Sequence, residues 1–545
     1  MYAGIHFYNQ LPEINMMKQT SFLILTAFWL CFSCHIENKE ANTHTDTTSH
    51  AQLSGDSAVT RSFTNPVMPG DYPDPSVAKI GDTYWATATS SEWAPLFPLM
   101  RSNDLIHWET IGHVFPKGTP EWADGNFWAP EISFENGKVY IYYTAHKKGG
   151  NLCVGVASAS NPEGPYTDHG PLVCQKVGSI DGFPMRDENG KLYLIWKEDG
   201  NSQKLPTPIW AQPMNEERTA LTGAKSELFR NDPKTWEGGL VEAPAVIRRG
   251  DYFYIFYAGD ACCGRGCTYA EGVARSKKLL GPWEKYGNNP VLLKNGAWNC
   301  PGHGTVITAN EGKDYFLYHA YNTESSVYTG RQGLLSEVTW TSEGWPKFSE
   351  VSPAAEVNQQ APDWAEEFSS FPLPVSWQWP VGKEPAYSIT GDKLTLTASP
   401  DKIGAVLGQR TQTDEYMAAT GIDLTSFPQQ LQAGLAAVGD RENAVGISVS
   451  STKLTFWTLQ GNQEKVVAQA AIPKASAIQL RLTAQDGSRF KAAWSTDGST
   501  WNPLQGEAEG AYLPPWDRGV RIGLIAKGPA TTKASFDWLH LTDQK

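Results

Sequence analysis

The chain reads as an all-β protein: a five-bladed β-propeller followed by an antiparallel β-sandwich. Three observations predict this. First, a tight turn leading into an aromatic-rich strand recurs five times: GDTYWATAT from Gly81, GKVYIYYTA from Gly137, GKLYLIWKE from Gly190, GDYFYIFYA from Gly250 and GKDYFLYHA from Gly312. The intervals, roughly 53 to 62 residues, suit one four-stranded blade with its loops. Second, the last third is a run of short alternating segments such as KLTLTAS, AIQLRLTAQ and RIGLIAKG. Third, long stretches of helical periodicity are missing throughout.

The elements follow in order. Met16-Met17-Lys18 precedes an apolar run from Phe22 to Leu30, which reaches Cys31-Phe32-Ser33-Cys34. A positive start, a short apolar stretch and a small residue before Cys predict a lipoprotein-type signal over residues 1–34, with translation starting at Met16 or Met17. On that reading Cys34 carries the lipid at the mature N-terminus. An ordinary cleaved signal is the alternative, because Cys31 and Phe32 are not the usual residues of a lipoprotein box. Either way the protein is exported to the cell envelope, and a lipid at Cys34 would be its membrane attachment. Residues 35–62 are polar and aperiodic, as in a flexible tether.

The propeller is expected over residues 63–350. In the first, second and fourth units the aromatic strand is followed by a further strand-like piece, LMRSNDLIHWE, CVGVASASNPEGPY and EGVARSKKLLGPW, and Gly164-Pro165-Tyr166 and Gly281-Pro282-Trp283 mark turns at matching places. After Val351 a Pro- and Ala-containing linker leads to the sandwich, expected over residues 365–545. Six Cys lie beyond the signal: Cys153, Cys174, Cys262, Cys263, Cys267 and Cys300. Export permits disulfides, and the CCGRGC cluster lacks a nearby His pair, so disulfides in a loop are expected rather than a metal site; their pairing is open.

Composition narrows the partner. Over 545 residues the net charge is −13, so no basic excess is available to neutralise the phosphates of a nucleic acid. A neutral polymer fits better, and 21 Trp residues are many for this length: core filling accounts for most single ones, and flat faces left at the surface suit sugar rings.

Six to nine residues before each repeated turn stands an ionisable residue: Asp74 in YPDPSV, Glu131 in WAPEI, Asp181 in SIDGFP, Glu242 in VEAPAV and His303 in PGHGTV. The first strand of a propeller blade lines the central channel, so these side chains are expected to converge on the hub. Crowded carboxylates raise one another's pKa and cost stability, which marks a functional site. Breaking a glycosidic bond needs one carboxyl to protonate the leaving oxygen and one carboxylate to activate water or act as nucleophile; a third can tune the acid. Neither the adjacent Asp and His set of a two-metal hydrolase nor a GxSxG nucleophile elbow is apparent.

The motifs NPVMPGDYPDPSV, WAPEI, SIDGFPMRDENGKLYLIW, VEAPAVIRRGDYFYIFYA, PGHGTV and GRQGLLSEVTW, in this order, resemble glycoside hydrolase family 43 over about Phe63 to Lys347. The resemblance implies a five-bladed propeller of inverting enzymes. It assigns Asp74 as general base, Glu242 as general acid and Asp181 as the residue that tunes and positions Glu242. It also implies substrate contacts for Arg331 and His303, with His303 near a calcium ion or its water ligands. Trp128 becomes a platform beside the sugar, and Glu131 has no assured role. No cofactor is required for the chemistry; calcium would be structural. One departure stands out: the usual Ile-Asp-Pro is Ile180-Asp181-Gly182. The C-terminal region resembles the concanavalin A-like domain behind some propeller xylosidases.

Such enzymes act on α-L-arabinofuranosides, β-D-xylosides, arabinan or β-galactan. The stretch SSEWAPLFPLMRS is a candidate wall for one end of the channel, which favours exo removal of terminal arabinofuranosyl or xylosyl residues from plant cell-wall polysaccharide. The alternatives are an endo-arabinanase or galactanase, or a catalytically silent glycan-binding propeller.

Overall fold

The computed structural model describes residues 63–349 and 363–544; the expected signal, Cys34 and the tether lie outside them. Five antiparallel four-stranded sheets form successive blades. Their innermost strands are Ser76–Ile80, Ala123–Glu135, Ser179–Arg186, Val241–Arg249 and Trp298–Thr308. Each touches the next, and the last returns to the first, so the ring is closed. Closure is reinforced where the chain before blade 1 bridges the third strand of blade 5, with Met68 paired to Gly333 and both Asn65 amide atoms bonded to the Leu335 backbone.

The repeated aromatic segments are the second strands of the blades, for example Lys138–Lys147 and Tyr252–Gly259. Both faces of such a strand are buried between neighbouring blades, which is why Tyr142, Tyr143, Trp196, Tyr257 and Phe316 are almost wholly hidden. Each large apolar side chain buried this way contributes about 1.5–3 kcal/mol, against the entropy of ordering it.

The C-terminal region packs two antiparallel sheets face to face. Strict alternation, as in Ala477–Gln485, sends Ile478, Leu480, Leu482 and Ala484 into the shared core with Leu407, Leu435, Ile447, Leu524 and Phe536. Propeller and sandwich are joined by a short pairing of Trp93–Ala94 with Trp379–Pro380 and by a buried ion pair, Arg521 Nη2 to Asp71 Oδ2 at 3.0 Å. The segment expected to wall the channel therefore serves otherwise. Trp93–Ala94 binds the sandwich, and Leu96–Ser102 is the third strand of blade 1.

The six cysteines pair as Cys153–Cys174, Cys262–Cys263 and Cys267–Cys300. This agrees with disulfides rather than a metal site in the CCGRGC loop.

Candidate active site

At one level of every blade the innermost backbone takes a left-handed residue. These are Asp74 (φ 52°), Ala129 (φ 43°), Asp181 (φ 58°), Ala243 (φ 56°) and His303 (φ 46°). In blades 2 to 5 this residue sits inside a break in strand register, between Trp128 and Glu131, Ile180 and Phe183, Glu242 and Ala245, and Gly302 and Thr305. A bulge re-aims side chains, here toward the channel mouth. The five ionisable residues singled out from sequence are thus not in one column. Asp74, Asp181 and His303 share it, Glu242 stands one residue earlier beside Ala243, and Glu131 two residues later than Ala129. Glu131 is correspondingly absent from the cavity lining. Burial pushes its carboxyl up to about 8, and it meets Thr305 Oγ1 at 3.2 Å rather than the cavity.

Asp74, Trp128, Asp181, Glu242, His303 and Arg331 all line one cavity of 370 Å³. That is ample for a single sugar ring and part of the next. A larger cleft, 490 Å³, lies at the junction between propeller and sandwich; its charged lining carries none of these residues.

Each oxygen of the Asp74 carboxylate accepts one hydrogen bond and keeps a further acceptor site. Arg331 Nη1 donates to Oδ1 at 2.7 Å and Thr89 Oγ1 to Oδ2 at 2.6 Å, while the Asp74 N–H donates to His319 Nδ1 at 3.0 Å. Burial works against its charge, but the Arg331 guanidinium and the His303 imidazole override burial and hold the carboxyl far below the usual range.

Asp181 and Glu242 differ sharply. Burial, reinforced by the neighbouring Glu242 charge, pushes Asp181 up to about 6. Glu242 is equally buried, yet Lys197 Nζ lies 2.7 Å from Oε2 and Tyr269 Oη donates to Oε1 at 2.9 Å, so its carboxyl is lowered. Asp181 accepts a hydrogen bond from the Ala243 N–H at 2.9 Å, which ties it to the backbone next to Glu242. Sequence reasoning has Asp181 raising the pKa of Glu242. In the resting site the proton sits more readily on Asp181, because a buried ammonium faces Glu242.

Lys197, Tyr269, His319 and Thr89 escape the sequence reading. Two of them had a signal. The register partners of the residues preceding the bulges are Thr144, Lys197, Ala258 and His319, one column of the second strands. A Lys and a His in that otherwise small or apolar column stand out once the repeats are aligned. The sandwich also reaches the cavity. Trp516, 58% exposed, meets Trp128 edge to face at 5.7 Å, and the Asp517 carbonyl accepts from Arg331 Nη2.

His303 Nδ1 lies 3.5 Å from Asp74 Oδ1. Among the described residues no three His, Cys, Asp or Glu side chains gather to hold a metal ion. Calcium takes about six to eight oxygens, and both oxygens of the nearest carboxylate already serve Arg331 and Thr89. The side chains do not form a calcium cage, and no step below runs through one.

A carboxylate pinned in its charged form, a second carboxyl group able to hold a proton, and aromatic rings flanking one cavity define an acid–base glycosidase built on a propeller. Comparison with known proteins agrees. Residues 63–346 match the model for glycosyl hydrolases family 43, and residues 365–542 match the β-xylosidase C-terminal concanavalin A-like domain. The chain is 25% identical to the non-reducing end α-L-arabinofuranosidase BoGH43B of Bacteroides ovatus, over 88% of this chain and 95% of that one. It is 27% identical to a xylosidase/arabinosidase of Butyrivibrio fibrisolvens, over 71% and 80%. The xylan β-1,4-xylosidase of Bacillus halodurans shares the fold, with TM-score 0.75 at 20% identity over 88% of this chain and all of that one. The protein belongs to glycoside hydrolase family 43.

Proposed function

We propose that the protein removes terminal α-L-arabinofuranosyl or β-D-xylosyl residues from plant cell-wall polysaccharide or its oligosaccharides, with inversion at the anomeric carbon. The observation that carries this is the unequal environment of three carboxyl groups at one cavity. Asp74, held anionic by Arg331, is fitted to take a proton from water as that water attacks the anomeric carbon. Glu242, from another blade, is fitted to protonate the leaving oxygen. The proton it needs is held by the Asp181–Glu242 pair; a bound sugar expels water and disfavours two adjacent charges, so the pair keeps one proton, which Glu242 passes to the leaving oxygen as negative charge develops there. His303, Arg331 and Trp128 bound the sugar site. The names of the relatives support either pentose, and the Trp516 wall supports attack at a chain end.

The test is proton NMR of the first product released from xylo- and arabino-oligosaccharides. Single pentose units appearing in the anomeric form opposite to the substrate linkage support the proposal. Internal cleavage products, or retention, overturn it. Export and lipid attachment through Cys34 belong to the same proposal; radiolabelled palmitate incorporation that disappears in Cys34→Ser checks them.

A further inference from the structure

The geometry points to a leaving-group subsite walled by the disulfide between the adjacent residues Cys262 and Cys263. This rests on the hydrolase reading above. Both cysteines are half-buried and line the cavity together with Glu242 and Trp516. Their loop follows directly on the strand Tyr252–Gly259, whose Ala258 is the register partner of Glu242. The disulfide therefore belongs to the blade that supplies the acid, whereas Asp74 enters from blade 1. An acid stands beside the oxygen it protonates, so the wall of its own blade is placed to meet the departing part of the substrate.

A bracing role explains the bond poorly. A disulfide stabilises by closing a loop, and one between neighbours closes almost no chain. The loop is already fastened by Cys267–Cys300, by the Gly264 N–H donating to Tyr321 Oη at 3.1 Å, and by Arg265 Nη2 donating to Tyr328 Oη and the Ala511 carbonyl. What the bond does produce is a small rigid ring closed through the Cys262–Cys263 peptide bond, whose disulfide edge is polarisable and offers no hydrogen-bond donor. Such a surface suits the C–H face of a sugar. The next sugar unit of the chain packs against this ring while the terminal pentose occupies the carboxylate end.

The experiment compares full-length wild type with Cys262→Ser/Cys263→Ser and Cys262→Ala/Cys263→Ala on two substrates: a pentosyl fluoride, which has no leaving-group sugar, and the matching pentose oligosaccharide. The ratio of kcat/KM for oligosaccharide to that for fluoride is expected to fall about tenfold in both variants, the loss for removing one apolar wall of a subsite. An unchanged ratio, whether both rates persist or both collapse, overturns the subsite and leaves the hydrolase reading standing. A wild type inert toward both substrates overturns the two together.

Discussion

Lys197 Nζ lies 2.7 Å from Glu242 Oε2 and 2.8 Å from Asp199 Oδ1, and its side chain is 1% exposed. Burial alone would favour the neutral amine, but the two carboxylates outweigh it and raise the Lys197 pKa. The cation in turn favours the Glu242 carboxylate, whereas catalysis needs the acid. In wild type kcat/KM should fall as pH rises through about 6, where the Asp181–Glu242 pair gives up its proton. Removing the ammonium stabilises the protonated acid, so in Lys197→Met this high-pH limb moves upward by roughly one pH unit. The pH profile on an aryl pentoside checks it; a limb that stays or moves down contradicts the role of Lys197.

Base and acid variants should separate by leaving group. Glu242→Gln is expected to lose about 10²- to 10⁴-fold in kcat/KM on oligosaccharide but far less on a pentosyl fluoride, whose departure needs no proton. Asp74→Asn should lose a comparable factor on both, because water must be activated in either case. Initial rates on the two substrates read the split.

The extent to which this was legible beforehand follows from what repeats can and cannot encode. Alternating aromatic strands announce buried blade strands, and five copies give the propeller. Asp74, Asp181, Glu242, His303 and Arg331 stand in recognisable motifs, and all reach the cavity. Register was less legible: Glu131 falls two residues off the channel-mouth column because the bulge beside Ala129 shifts the count. Contacts between distant segments left no local trace. Trp516 and Asp517 reach the cavity through the packing of sandwich on propeller, and nothing around WDRG in the sequence announces it.

That packing turns on Asp71. Its Oδ2 accepts from Arg521 Nη2 and from the Gly519 N–H at 3.1 Å, and its Oδ1 from the Arg331 N–H at 3.2 Å. Arg521→Met strands a buried carboxylate at the junction, a change of the kind that costs about 3–5 kcal/mol. Thermal unfolding should shift down by several degrees. KM for oligosaccharide should rise as well, because Gly519 anchors the loop bearing Trp516. An unshifted melting curve would show the pair to be dispensable.

Gly182, where the family motif carries Pro, has a local cause. A Cβ at this position would stand 2.4 Å from Val154 Cγ1, on the neighbouring blade, and Val154 is fully buried with a stiff β-branched side chain that has little room to turn aside. Gly182→Ala should therefore cost about 1–3 kcal/mol through overpacking. It should also slow turnover, because the strain falls on the residue after Asp181. Val154→Ala removes the obstructing methyl and leaves a small void. The double variant Val154→Ala/Gly182→Ala should then be more stable than the sum of the single losses predicts, by about 1 kcal/mol or more in a double-mutant cycle. Strict additivity would mean that Val154 does not exclude a side chain at 182, and the glycine would need another explanation.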